Sequence, residues 1–182
     1  NEYKFLLKKS IKSQMISDVP VGMFLSGGID SAIIAYHMQN QLSKPLNTFT
    51  IGFPGQGDYN ELSDARETAK LLGTNHNELT ITKDEYLEFF FKSFYYTEEP
   101  IAEPTIPALY FLAKYTSKHL KVVLAGQGAD EPLGGYPRYI GEKYLSKYGS
   151  LFRYIPDKII SSAFPANEKL KRAFYAANFE NN

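Results

Sequence analysis

The chain has 182 residues, with 20 Lys+Arg balanced by 20 Asp+Glu, and a zero formal charge gives it no whole-chain affinity for nucleic acid or acidic lipid. At 43% hydrophobic and 22% charged residues it has the composition of an ordinary globular domain, which excludes intrinsic disorder. Zero cysteines exclude a disulfide scaffold, a Cys-ligated zinc site and a thiol nucleophile; no apolar run approaches the roughly 20 residues of a membrane span, so a soluble, cytoplasmic protein is expected.

Tyr3, Leu6, Leu7, Ile11, Met15 and Ile16 recur at helical spacing and predict an opening helix stopped by Pro20. Val21 to Leu25 is a short apolar run bounded by turn residues, the pattern of a strand buried on both faces of a parallel sheet. After Ser26-Gly27-Gly28 a helical stripe runs from Ile29 to about Gln41. Leu46 to Phe53 is the second strand, and Glu61 to Leu72 a helix with Gly73 as its C-terminal cap. Asn77 to Ile81 supplies a third strand, and Asp84 to Tyr96 a helix rich in Phe and Tyr. Pro100, Pro104 and Pro107 mark a turn, Thr105 to His119 is another helix, and Val122 to Ala125 is the fourth strand. Gly126 to Pro137 reads as a glycine-rich loop, with no strand signal after it.

Strands alternating with helices at this spacing predict an α/β fold, a parallel sheet with helices on both faces. Residues 1–150 are expected to form one core and residues 151–182 a helical tail. The sequence starts at Asn1 instead of Met, and its last helical pattern has no stop signal, so an excised piece of a larger protein is expected.

In such a sheet ligands bind beyond the carboxyl ends of the strands, which puts Leu25 to Ser31 where chemistry is expected. Gly27 and Gly28 allow close backbone approach, Ser26 and Ser31 carry hydroxyls, and the following helix start offers free N–H groups. Together they describe a phosphate cradle, although neither GxxxxGK[ST] nor GxGxxG is present. Asp30 is then either a helix cap or the partner of a divalent cation that bridges it to phosphates, and spacing alone leaves both open. Asp130 and Glu131 offer carboxylates after the fourth strand; if the first and fourth strands are neighbours, Asp30 and Asp130 would approach a common magnesium ion, the alternative being a turn carboxylate bonded within its own loop.

His37, His76 and His119 fit neither a metal spacing nor a triad, so packing or solvation is expected of each. Tyr136, Tyr139, Tyr144, Tyr148, Phe152 and Tyr154 interleave with Arg138, Lys143, Lys147 and Arg153. This mixture suits a docking or buried face better than a nucleic-acid surface, given the balanced charge. Arg138 is also placed to meet an anion, although a turn arginine is commonly just solvated.

The segment Ser26-Gly27-Gly28-Ile29-Asp30-Ser31 resembles the SGGxDS loop of the PP-loop ATP pyrophosphatases, whose fold is Rossmann-like, of the adenine-nucleotide alpha hydrolase (HUP) type. Further segments narrow the resemblance to the synthetase domain of glutamine-dependent asparagine synthetases: residues 18–22, 49–52, 72–76 and 99–101, Val123 to Glu131, and Gly134 to Tyr139, in family order. The resemblance implies that ATP is cleaved between its α and β phosphates, with Ser26, Gly27, Gly28, Asp30 and Ser31 around the pyrophosphate and Asp30 and Asp130 on Mg2+. It implies that adenine is held at Phe24, Leu25, Ile51, Ala125 and Gly126, and it makes Asp30, Asp130, Glu131 and Gln127 the candidate catalytic residues. Aspartate would be joined to AMP, and ammonia from an upstream glutaminase domain would displace AMP to give asparagine; no nucleic-acid or membrane partner is implied. Related branches close β-lactam rings or macrocycles by the same activation. The sequence departs from the family at Gln127, where Glu is usual, and at Pro132, where a larger apolar residue is common.

Overall fold

The computed structural model describes residues 2–55, 61–99 and 103–136, together with Tyr139, Ile140, Glu142, Lys143, Ser146 and Lys147. It divides into two compact units, Asn1–Gln127 and Gly128–Asn182. The expected boundary near residue 150 and the expected tail at 151–182 lie outside the described residues, as do Arg138, Tyr144, Tyr148, Phe152, Arg153 and Tyr154.

The first unit runs α1 (Glu2–Gln14), β1 (Val21–Phe24), α2 (Ile29–Gln39), β2 (Asn47–Gly52), α3 (Leu62–Leu72), β3 (Asn75–Thr80), α4 (Lys83–Thr97), α5 (Thr105–Thr116) and β4 (Val122–Leu124). All four strands are parallel, in the order β3-β2-β1-β4. The chain steps outward from β1 to β2 to β3, then returns past both to lay β4 against β1. Crossovers of one hand therefore put the helices of the outward steps on one face and those of the return on the other.

The packing follows that rule. Ile11 of α1, Met23 and Leu25 of the first strand region, Ala35 and Met38 of α2, Leu46, and Ala65 and Ala69 of α3 form one buried cluster. On the opposite face Phe49 of β2 meets Tyr115 of α5 and His119 beyond it, with ring centroids 6.3 and 5.9 Å apart. Helix α4 is held to α5 by the stacked rings of Phe89 and Tyr110, 3.8 Å between centroids. Gly22 shows how tight the β1 layer is: a Cβ there would lie 2.5 Å from Leu120 Cδ1 and 2.9 Å from the Asn47 carbonyl.

Gly73 ends α3 in the left-handed conformation, φ 67°, as the sequence predicts. β3 begins two residues before its expected start, because Asn75 and His76 look like loop residues in isolation but pair with Asn47 and Thr48 of β2. Their polarity suits an edge strand. Among the described residues no helix is long and apolar enough to cross a membrane. In the second unit, the segment expected to be entirely loop contains a four-residue helix, α6 (Asp130–Leu133).

Candidate functional site

The strand order reverses direction between β1 and β4, and the residues that leave these two strands at their carboxyl ends form the candidate site. Beyond β1 the chain runs through Leu25, Ser26, Gly27 and Gly28 into α2. The N-cap of α2 is Gly28, extended at φ −81°, ψ 153°, and among the described residues no side chain caps the helix. Asp30 lies in the first turn, not at the cap, which excludes the cap reading of that residue. The N–H groups of Ile29, Asp30 and Ser31 therefore have no hydrogen-bond partner among the described residues, at the positive end of an eleven-residue helix. This arrangement is receptive to an anion.

Ser31 does not offer its hydroxyl to such an anion. It is 4% exposed, and its Oγ accepts the Ser26 N–H at 3.2 Å and lies 2.9 Å from Ser26 Oγ and 3.0 Å from the Gly28 carbonyl. It is the internal tie of the loop. Ser26 is exposed, and its Oγ also accepts the Gly28 N–H at 3.2 Å.

The end of β4 meets this loop directly. A Cβ on Gly126 would lie 2.9 Å from both the N and the Cα of Ser31, so only glycine permits the approach. The adenine candidates divide accordingly. Leu25 is buried, its N–H donates to Phe49 at 2.9 Å, and its carbonyl accepts the Thr50 hydroxyl, so little of it is left to read a base edge. Phe24 and Ile51 are half-buried within their strands. Ala125 and Gly126 keep main-chain groups without a partner among the described residues.

Two further acids that no sequence pattern marks stand beside the loop. Glu61 accepts the Gly27 N–H at 3.1 Å, and a Cβ on Gly27 would lie 3.0 Å from Asp64 Cβ. Both residues belong to the start of α3, where their spacing resembles an ordinary solvated helix face. A cavity of about 450 Å3 was equally invisible in the sequence: it opens past the end of β2 and is lined by Phe53, Pro54, Lys83, Tyr86, Pro104, Thr105 and Ala108. Its walls are apolar and it has one cation.

Gln127, exposed, closes the first unit. In the second unit, Gly128 has φ 90°, Glu131 accepts the Tyr136 hydroxyl at 2.9 Å, and Asp130 starts α6. Its carboxylate packs against the backbone of Gly135. Gly134 ends α6 in the left-handed conformation, φ 66°.

Among the described residues no group of three or more His, Asp or Glu side chains stands together to hold a metal ion. A magnesium ion here would rest on one or two carboxylates and complete its shell with phosphate oxygens and water, which is its usual preference. The histidines pack as expected: His37 is buried in α2, His119 lies against Phe49 and Tyr115, and His76 bonds through Nδ1 to Thr48 Oγ1 at 3.0 Å.

Fold and loop together define a Rossmann-like α/β protein with an open helix start at the switch point of a parallel sheet. The family model described as asparagine synthase matches residues 2–181, and the chain belongs to that family. It is 41% identical over 138 residues to asparagine synthetase [glutamine-hydrolyzing] 1 of Bacillus subtilis (strain 168), covering 76% of this chain and 22% of that protein. It is 40% identical over 139 residues to a putative asparagine synthetase [glutamine-hydrolyzing] of Mycobacterium tuberculosis (strain ATCC 25618 / H37Rv), covering 76% and 21%. Asparagine synthetase B [glutamine-hydrolyzing] of Escherichia coli (strain K12) is 34% identical over 152 residues, covering 75% and 27%. The chain thus spans about a fifth to a quarter of the length of these curated relatives. Among solved structures, the NH3-dependent NAD synthetase of Campylobacter jejuni aligns at 16% identity and a TM-score of 0.47, covering 97% of this chain and 90% of that one.

Proposed function

We propose that the chain is the ATP-binding core of an AMP-forming ligase that activates a carboxylate, aspartate in the first instance, for amide formation with ammonia. The observation that carries this is the uncapped start of α2, whose Ile29, Asp30 and Ser31 amides face the anion-binding position of the sheet. Family membership and the names of the relatives support the choice of reaction.

A carboxylate resists ammonia because its leaving group would be an oxide. In the proposed sequence a carboxylate oxygen attacks the α-phosphorus of ATP, the bond to the β-phosphate oxygen breaks, and pyrophosphate departs; ammonia then attacks the acyl carbon and AMP leaves with the bonding electrons. The amides of residues 29–31 stabilise the negative charge that grows on the departing pyrophosphate, fixed in place before the reaction. Main-chain groups of Ala125 and Gly126 are proposed to meet the adenine. Asp30 and Asp130 are proposed to hold magnesium on the strength of the family motifs, and the metal would neutralise phosphate charge. Ammonia is proposed to come from a glutaminase domain upstream in the parent protein. A cytoplasmic setting goes with this reading, since ATP is its substrate.

ATP–pyrophosphate exchange in the presence of aspartate tests the reading, and aspartate-dependent exchange is the expected result. Gln127 favours one alternative, a nucleotide-binding module without activity, because it lacks the carboxylate usual in the family. Binding of Mg-ATP without exchange, whichever carboxylic acid is supplied, would decide for that alternative.

A further inference from the structure

Glu61 stands at the N-cap position of α3, yet its side chain makes no cap bond to its own helix. Its carboxylate reaches across to the loop 34 positions earlier and accepts the Gly27 N–H at 3.1 Å. Glu61 is exposed and forms no ion pair among the described residues. Among the described residues the Gly27 N–H is the one donor to this carboxylate, and solvent screens the rest of its charge. The contact is held close because the loop rests on the first turn of α3: a Cβ on Gly27 would lie 3.4 Å from Glu61 Cβ and 3.0 Å from Asp64 Cβ.

An N–H that accommodates a carboxylate oxygen accommodates a phosphate oxygen equally well, and it cannot serve both at once. Two anions at that position also repel. We infer that Glu61 is the resident anion of this loop: it occupies the Gly27 amide while the site is free of nucleotide and yields it to a phosphate oxygen on binding. The inference rests on the phosphate reading of the loop. Binding is thus an exchange of one anion for another. The same carboxylate, returning to Gly27, competes with the pyrophosphate product and hastens its release.

Calorimetric titration of inorganic pyrophosphate, and separately of magnesium-free ATP, into wild type, Glu61→Ala, Glu61→Gln and Asp64→Asn tests this. Glu61→Ala is expected to bind pyrophosphate about fivefold or more tightly, with Glu61→Gln intermediate, because a resident charged acceptor has been removed or neutralised. Asp64→Asn, which removes a neighbouring charge and leaves the Gly27 bond intact, is expected to change affinity less than about twofold. Equal or weaker binding in Glu61→Ala, or an Asp64→Asn effect as large as that of Glu61→Gln, overturns the inference. The Gly27 amide resonance must also move in Glu61→Gln without ligand, and in wild type on adding pyrophosphate; an amide that stays put overturns it as well. If no protein in the set binds pyrophosphate or ATP, the phosphate reading itself fails and takes the inference with it. If all bind equally, only the role of Glu61 is lost.

Discussion

The carboxylate of Asp130 lies so close to Gly135 that a Cβ on residue 135 would sit 2.0 Å from Oδ1 and 3.0 Å from Cγ. The Gly135 N–H also donates to the Asp130 carbonyl at 3.0 Å. The glycine is thus the floor on which this carboxylate is seated. Gly135→Ala must push the carboxylate aside, and a displacement of about 1 Å at a catalytic group can cost about a hundredfold in rate. With Asp130 in its proposed role, Gly135→Ala is expected to lose pyrophosphate exchange on that scale while melting within a few degrees of wild type. Exchange at the wild-type rate would remove Asp130 from the machinery.

Ser31 gives a prediction of a different kind. Its buried hydroxyl takes the Ser26 N–H and ties Ser26 Oγ to the Gly28 carbonyl. Ser31→Ala leaves the Ser26 amide without that partner, which is expected to lower stability by about 1–3 kcal/mol in urea denaturation. Weaker ATP binding should accompany it, because the loop that sets the start of α2 is loosened. Unchanged stability together with unchanged binding would mean that the loop holds its shape without this tie.

The parts of the site that were legible in the sequence are those written in consecutive residues. Val21 to Leu25 shows a doubly buried strand, Ser26-Gly27-Gly28 a loop that the backbone can approach, and Gly73 a left-handed helix end, and each occurs at or within a residue of its expected place. Adjacency of the first and fourth strands is a condition that the usual switch-point order meets, and β4 does lie against β1. What stayed hidden depends on contacts between distant segments. Glu61 and Asp64 look like solvated acids until α3 is laid beside the first loop, and Asn75 looks like a turn residue until Leu46 and Asn47 supply partners for it. Ser31 has the composition of a phosphate donor, and only its burial shows that it faces inward.

His76 makes the stability depend on pH in a definable window. Its Nδ1 is bonded to Thr48, while its Nε2 is buried with no hydrogen-bond partner among the described residues, 3.5 Å from Glu78 Oε1. Burial lowers its pKa; the Glu78 charge opposes this and the Arg66 charge adds to it. The unfolded chain therefore takes up a proton first, near the ordinary value of about 6.5, and stability falls as pH drops below that point. Glu78, held below the usual carboxyl range chiefly by its hydrogen bond from Arg66, keeps its charge there, so its own contribution is lost only at more acid pH. Urea denaturation between pH 7.5 and 5.5 should show a decline in wild type that flattens in His76→Gln. Parallel slopes in the two proteins would assign the decline to other groups.

The start of α4 supplies a test at still lower pH. Thr82 Oγ1 accepts the Glu85 N–H at 3.2 Å, and Glu85 Oε2 accepts the Thr82 N–H at 2.7 Å, a reciprocal capping box. The helix it starts contributes Lys83 and Tyr86 to the cavity wall and stacks Phe89 on α5, so a frayed start loosens the layer behind β2. The backbone N–H of Thr82, and after it the Thr82 hydroxyl, holds the Glu85 carboxyl below its ordinary value. A carboxyl with a depressed folded-state pKa stabilises above its unfolded value and loses that contribution as pH falls through the folded one. Thr82→Ala is accordingly expected to lower the melting temperature by about 2–4 °C at neutral pH. The gap between the two proteins should narrow as acid protonates Glu85 and weakens its bond from the Thr82 hydroxyl, which only wild type has. A gap that stays constant from pH 7 to pH 3 would show that the bond from the Thr82 hydroxyl to the Glu85 carboxylate carries none of the difference, since the bond from the residue 82 backbone N–H is present in both proteins.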